Sequence, residues 1–536
     1  MADLLYRTED IPSEDLLDLF VETKQDREII ELIKATSPVI LVGSRGVGKS
    51  FLLRVAEEEM LMNFNLKKIL PVYLTFTKSS LIHSSDSKQF QNWMLARLCL
   101  RTIRALRKQG FLVTPPTAVS VLTGGSSDVI NTKIEAIAAA YEKSWQKPNE
   151  TVDISGLPSV EHFIDAIEEI CSQVGIKRIN YLIDEAAHIF RPEQQRQFFT
   201  LFRDLRTSMI SCNAAVYPGV TSFGDTFQST HDATFITIDR DILQEDYVPK
   251  MREIVEKQLE ANSDLLNDIS KNGQNFAVLA YAATGNPRLL LKTIAMAPKL
   301  SSKQINDVLR SYYLTDLWTE HSSLSEKYPG HSAYVDWGRK FIEGEVLLEL
   351  QKKNIQYLRD EKNSTCFFWI HRDAPQPVKE AIRLLAYTGI VSEHSQGIKA
   401  TRSEIGTRYL VNLGCLFALE SAPASTAFQI AKRLTPKRMS EYGMNYALYN
   451  ELLQTVQTFK ESDISDVLNR ELNKPIDVLD LSDWQKEALK SIQLYTISDI
   501  LQSDEGKLRQ AHYVGEKRAR RMKSAALASV YEYLNG

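Results

Sequence analysis

Apolar and polar residues alternate along the chain in two distinct rhythms. Leu16, Leu17, Phe20, Ile29, Ile30 and Ile33 recur at helical spacing, so residues 1–36 read as an acidic lead-in followed by a helix. Pro38 to Val42 is a short apolar run bounded by a glycine loop, the pattern of a strand buried on both faces. The same reasoning predicts helices over Ser50–Asn63, Phe90–Gln109, Val160–Val174 and Gln194–Leu205. It predicts strands over Ile69–Phe76, Ile179–Ile183, Ala214–Val220 and Thr234–Ile238. Between 110 and 158 the rhythm weakens at TPPT, TGGSS and QKPNET, around one helical segment (Ile130–Trp145), and an insertion or mobile excursion is expected there. Alternating strands and helices predict an α/β domain with a parallel sheet covered on both faces.

Beyond Ile242 the pattern turns helical to about Leu317. From Pro377 to Leu413 it changes again. A helix (Val378–Tyr387) leads into a strand (Gly389–Ser392), a turn at His394–Gly397, a strand (Ile398–Thr401) and a further helix. Helix followed by a short hairpin is a winged-helix pattern. Residues 475–536 read as a compact helical unit. The expected division is an α/β domain over 1–242, a helical lid over 243–325, a winged-helix domain over 326–425, a helical linker over 426–474 and a terminal unit over 475–536.

The length of 536 residues suits several domains, and 43% apolar with 25% charged residues is ordinary for a globular chain. A net charge of −4 excludes a protein that coats nucleic acid by bulk charge, though not one with a local basic patch. The five cysteines share no CxxC spacing, which disfavours a zinc site or disulfide framework and suits a reducing cytoplasm. The acidic start lacks the apolar core of a secretory signal, and no run of apolar residues is long enough to span a membrane.

Gly43-Ser44-Arg45-Gly46-Val47-Gly48-Lys49-Ser50 fits G-x-x-x-x-G-K-[ST] between a strand and a helix. Such a loop turns its amides, through Phe51, toward phosphate oxygens. Lys49 brings charge to the β and γ phosphates, and the Ser50 hydroxyl ligates Mg²⁺. Asp184-Glu185 ends an apolar strand. There Asp184 can hold the metal shell and Glu185 can deprotonate an attacking water, which argues hydrolysis as well as binding. In Gly285-Asn286-Pro287-Arg288, Asn286 can cap a helix whose first turn projects Arg288 toward a γ-phosphate.

Taken together, GSRGVGKS, LIDEAAHIF and TGNPRLLL resemble the Walker A, Walker B and sensor 2 motifs of AAA+ P-loop NTPases. Within them the chain is similar to the origin-recognition (Orc/Cdc-type) initiators over about residues 15–320. That resemblance implies ATP as the nucleotide, an adenine cradle in FVETKQDREIIELI, and a lid carrying Arg288 that closes with nucleotide state. It also implies a sensor 1 tip at Thr221 or Ser222. One departure stands out: Gly224 to Ala233 contains no Arg or Lys where ring-forming members carry an arginine finger. Arg203, Arg206 and Arg240 are the substitutes to consider, and a slow STAND-type switch becomes an alternative to a fast ring.

Seven cations (Lys507, Arg509, Lys517, Arg518, Arg520, Arg521, Lys523) face one acid, Glu516, over residues 507–523. Gly515 permits a tight turn into a helix with Lys517 and Arg518 alongside. With LDLSDWQKEALKSIQLYTISDIL upstream, the unit resembles the helix-hairpin-helix C-terminal domain of the RNA polymerase α subunit. His512 replaces the usual first glycine. That likeness implies contact with duplex DNA through Gly515, Lys517, Arg518, Arg520, Arg521 and Lys523. A solvated helix face is the plainer reading of the same charges.

Two functions follow as expectations. One is an ATP-hydrolysing AAA+ switch that binds duplex DNA through its C-terminal modules and changes shape or self-assembly with nucleotide. The other is a STAND-like regulatory ATPase of a bacterial antiviral defence system that acts through a partner effector protein.

Overall fold

Val39–Val42 offers no polar face to water, and in the folded chain it becomes β1, interior to a five-stranded sheet. A computed structural model describes residues 5, 7–82, 88–112, 118–125, 132–146, 150–186, 191–219, 223–224, 226–259, 263–455, 469, 472–479 and 481–535. The other strands are β2 (Ile69–Thr75), β3 (Arg178–Asp184), β4 (Ile210–Val216) and β5 (Thr234–Thr237). All pair in parallel, in the order β2-β3-β4-β1-β5. Because every connection crosses over, all five carboxyl ends point to one edge of the sheet. The fold is the α/β fold of a P-loop NTPase.

A buried amide network fixes the helix Lys24–Lys34 to the opposite edge. Asn213 and Asn180, both fully buried, donate to the Ile33 carbonyl, and Asn213 also donates to Asn180 Oδ1 at 2.7 Å. The Val39 amide in turn donates to Asn213 Oδ1. Polar groups at these depths are tolerable only when paired in this way. They also explain a displaced expectation. β4 begins at Ile210 rather than at Ala214, because its first half (ISCN) reads as polar while its partners lie in the fold. The strand stops at Val216, ahead of Pro218 and of Gly219, whose φ is +97°. The sequence expected a strand through Val220.

The described part of the insertion is packed into the body of the domain. Val119, Leu122, Ile134, Ile137, Ala138 and Tyr141 join the core cluster beneath the helices Gln89–Lys108 and Val160–Val174.

The lid and the following sheet share a single hydrophobic core that runs from Ile242 to Leu452. The expected boundary at 325/326 is therefore no break in packing. Residues assigned to a linker, among them Ala427, Ile430, Tyr442 and Tyr449, belong to that core instead. Its second sheet has the order β7-β8-β6-β9, with β6 Phe367–His371, β7 Val391–Lys399, β8 Ile405–Val411 and β9 Ser440–Tyr442. The helix Gln376–Thr388 precedes the β7–β8 hairpin, as the pattern predicted. The hairpin itself is longer than expected. β7 runs through His394–Gly397 with two register shifts, the turn falls at Ala400–Glu404, and the helix expected after Thr401 is strand β8. Alternation in IGTRYLV and the β-branched residues decide for the strand. Gly406 is required where β8 passes β6, since a Cβ there would sit 2.2 Å from the Ile370 carbonyl oxygen.

The terminal unit (Ile476 to Asn535) has its own small core, which Leu81 and Trp145 of the α/β domain complete. Among the described residues no helix is long and apolar enough to cross a membrane.

Candidate functional site

The carboxyl ends of the strands and the first turn of the lid helix Pro287–Met296 enclose a cavity of about 920 Å³. Backbone conformation sets its floor. Gly46 (φ +86°) and Gly48 (φ +106°) take left-handed conformations that side chains resist, and Gly48 caps the helix Lys49–Met62. Gly46 is constrained twice over. A Cβ there would lie 2.6 Å from Asn286 Oδ1 and 2.7 Å from Arg288 Cβ, so its bareness lets the lid approach the loop.

Of the residues expected to hold nucleotide, Arg45, Gly46, Gly48, Lys49, Ser50, Phe51 and Asp184 line the cavity, with Glu185 and Arg288. Gly43, Ser44 and Val47 form the loop behind them. Lys49 is only 7% exposed and donates to the carbonyls of Gly43 (2.5 Å) and Ser44 (2.9 Å). Burial pulls its pKa down to about 8, against the opposing pull of Asp184 and Glu185; Arg288 and Arg45 push the same way as burial. Asp184, at the end of β3, accepts from the Tyr73 hydroxyl at 2.9 Å and from the Glu185 amide. Burial, reinforced by the charge of Asp184, raises the Glu185 carboxyl above its ordinary range. Glu185 also carries a left-handed backbone, φ +48°, a costly conformation for a residue with a side chain. At the other end Leu19, Phe20, Val21, Ile254 and Leu291 form an apolar wall suited to a flat base; Phe20 and Val21 open the segment expected to cradle adenine.

Ser50 and Asp184 both face the cavity and offer only oxygen donors, a set that suits Mg²⁺ rather than a softer metal.

Several roles, and some participants, escaped the sequence reading. Asn286 does cap its helix, accepting from the Leu289 amide, but its side chain also donates to the Arg45 carbonyl at 2.7 Å and so ties lid to loop. Arg240, weighed as a finger for a neighbouring subunit, reaches its own loop instead. It donates to the Val47 carbonyl at 2.6 Å and lies 3.9 Å from buried Asp26. Arg203 is engaged by Asp204 and the Thr226 carbonyl, and Arg206 sits on the surface. Thr221 and Ser222 lie outside the described residues. The residue that follows β4 in the cavity is Tyr217, whose hydroxyl donates to Glu185 Oε1 at 2.9 Å and whose ring lies 4.4 Å from Lys49 Nζ. Tyr387 and Thr388, from the helix Gln376–Thr388 ahead of the β7–β8 hairpin, complete the wall. Only an aromatic residue closely following a buried strand hinted at Tyr217; nothing local pointed to Tyr387.

In the terminal unit the helix Glu516–Asn535 follows Gly515, and the six residues expected to meet DNA divide by environment. Lys517 and Arg521 are exposed, with no ion pair among the described residues. Arg518 donates to the Tyr513 carbonyl and stacks 5.0 Å from the Trp484 ring centre. Arg520 is paired with Glu516 and Glu505, and Lys523 donates to the Ser503 carbonyl at 2.7 Å.

The ORC-CDC6-like family model matches residues 4–90, which span the lead-in, the phosphate loop and β2. No curated protein matches the chain. Among solved structures, the Walker-type ATPase PABY2304 of Pyrococcus abyssi is similar at 13% identity and a TM-score of 0.38, over 80% of this chain and 97% of that one. The Aeropyrum pernix ORC1 protein in complex with DNA gives 11% and 0.29, over 79% and 94%. The Aeropyrum pernix ORC2 protein (ADPNP–ADP complexes) gives 10% and 0.33, over 80% and 96%. At these TM-scores the likenesses carry no argument, and the site rests on its own geometry.

Proposed function

We propose that the chain is an AAA+-type switch that binds and hydrolyses ATP, changes conformation or assembly with nucleotide state, and grips duplex DNA through its C-terminal modules. The observation that carries the ATPase reading is the meeting of Lys49, Asp184, Glu185 and Arg288 around one cavity at the carboxyl edge of a parallel sheet. The ORC-CDC6-like match over 4–90 supports the same reading.

In this reading the loop amides from Gly43 to Phe51 cradle the phosphates, and Lys49 faces the β and γ groups. Ser50 and Asp184 hold Mg²⁺, which when bound neutralises phosphate charge. Glu185 takes the proton of the attacking water as the new P–O bond forms and the bond to the bridging oxygen breaks. Arg288, on the lid, reads the γ-phosphate and so links lid position to nucleotide state. The winged-helix-like hairpin and the helix-hairpin-helix unit supply the DNA contacts, with Lys517 and Arg521, which have no ion pair among the described residues, foremost among them.

The position of Arg240 favours a second reading. An arginine spent on its own phosphate loop is not extended toward a neighbour, which suits a slow STAND-like switch that works through a partner effector, in antiviral defence or a similar role.

ATP turnover with and without duplex DNA, read beside the oligomer mass in ATP, separates the two. Glu185→Gln should retain ATP binding while losing about a hundredfold or more of turnover. Equal turnover in the variant removes Glu185 as the base. Absence of a mobility shift at low salt, in ATP and without it, removes the DNA reading and leaves the partner-directed one.

A further inference from the structure

Resting on the ATPase reading above, we infer that Tyr217 is a positioning residue that latches Glu185, and that the helix Gln376–Thr388 holds this latch shut. The second sheet's domain thereby restrains hydrolysis.

Three contacts build the latch. The Tyr217 hydroxyl donates to Glu185 Oε1 at 2.9 Å, so one oxygen of the carboxylate that must accept the water's proton is already engaged. The face of the same ring covers Lys49 Nζ at 4.4 Å, and that ammonium also donates to the Gly43 and Ser44 carbonyls. The Tyr387 ring then meets Tyr217 edge-on, with centroids 5.2 Å apart at 81°. Base and phosphate lysine are thus held by one side chain, and that side chain is held by another domain.

The backbone that carries Tyr217 is clamped as well. Arg383 Nη1 donates to the Gly219 carbonyl at 2.8 Å. Its aliphatic stem lies so close over Gly219 that a Cβ there would stand 2.4 Å from Arg383 Cγ. Gly219 also has φ +97°, so both the turn and the approach of the arginine call for glycine. Tyr217 and Tyr387 pack with Tyr328 and Tyr334 around buried Leu324, Val335 and Leu384, which gives the contact an apolar seat between helices of the lid and the second sheet's domain. A displacement of the 376–388 helix by a ligand on the C-terminal half would move Tyr387 and Arg383 together.

For hydrolysis the water oxygen bonds to the γ-phosphorus, the bond to the β,γ-bridging oxygen breaks, and the water's proton passes to Glu185. While the phenol O–H occupies Oε1, that transfer is disfavoured. Removing the phenol O–H alone frees the carboxylate while the ring stays over Lys49, so in Tyr217→Phe the effect falls on kcat rather than on KM.

The test measures kcat and KM for ATP in the full chain, for wild type, Tyr217→Phe, Tyr387→Leu and Arg383→Met. Tyr217→Phe removes only the hydroxyl, and Arg383→Met keeps a stem over Gly219. Both should raise kcat about tenfold, the worth of one hydrogen bond to a charged group, with KM within about twofold. Arg383→Lys should fall back toward wild type. A damaged fold would lower kcat, so a rise is not produced by a merely structural role. If wild type hydrolyses ATP and all three variants match it or run slower, the latch is overturned. If no variant turns over ATP that it demonstrably binds, the latch is overturned likewise. Failure of the underlying reading looks different: Lys49→Ala would then bind nucleotide as wild type does.

Discussion

Cations gather in two places in this molecule, and the two use charge in opposite ways. At the phosphate loop Lys49, Arg240 and Arg288 converge with Arg45 on one cavity, and Lys49 is buried to 7% exposure. In the terminal unit Lys507, Arg509, Lys517 and Arg521 spread over an exposed surface. A buried ammonium has its chemistry set by its neighbours, and removing it deletes a specific step. Exposed cations act through a summed field that salt screens, and each contributes a modest share. One residue should therefore dominate at the first site and none at the second.

The largest expected effect comes from the buried cation. Lys49→Ala should weaken ATP binding by about a hundredfold or more, measured by titration with a fluorescent ATP analogue, because Lys49 is the buried cation at the centre of the phosphate loop and its desolvated contact with phosphate is lost. Affinity within a few-fold of wild type would erase the contrast.

Next in size is a pH effect, whose sign follows from burial. Burial pulls the pKa of Lys49 down to about 8 in the folded chain, below its ordinary 10.5. Its ammonium therefore costs stability below pH 8, and that cost fades as pH rises from 8 toward 10.5. Bound phosphate favours the protonated form, so above pH 8 nucleotide binding must take up a proton. Apparent affinity for ATP should fall about tenfold per pH unit between pH 8 and 10, with matching proton uptake by calorimetry in buffers of different ionisation enthalpy. A flat profile would show that the lysine is not buried in the free protein.

The smallest effects belong to the terminal unit. Lys517→Ala and Arg521→Ala should each weaken duplex binding a few-fold and reduce the salt slope by about 1. Arg520→Ala should do less, since Glu516 and Glu505 already neutralise it. Equal losses at all three positions would mean that the ion pairs open on binding and that every cation in the patch counts alike.

Much of the first sheet was legible because its strands are continuous apolar runs: β1, β2, β3 and β5 fall within a residue or so of their expected bounds. β4 was displaced because Ser211 and Asn213 look like loop residues, and the partners of Asn213 on β3 and the helix Lys24–Lys34 are far off in sequence. β8 was misread because IGTRYLV follows a turn that lies later than the glycine at 397 suggested. The phosphate loop, Asp184, Glu185 and Arg288 were legible as local motifs, and all three stretches meet in one cavity. Tyr217, Arg240 and Tyr387 were not, for a simple reason: each acts across more than 30 residues, and no local spacing encodes which distant side chain will arrive.

By itself, the sequence determined the parts that depend on backbone freedom and residue type. Gly46 and Gly48 permit the left-handed turn, Lys49 and Ser50 open the helix behind it, and runs of apolar residues commit β1, β2 and β3 to a buried sheet. Tertiary structure alone decided what those parts feel. It buried Lys49 far enough to lower its pKa, turned Arg240 onto its own loop, and set Tyr217 against Glu185 under a helix that lies about 170 residues further along the chain. Desolvation, hydrogen bonding and ring packing depend on distances between side chains, and those distances exist only once the chain has folded.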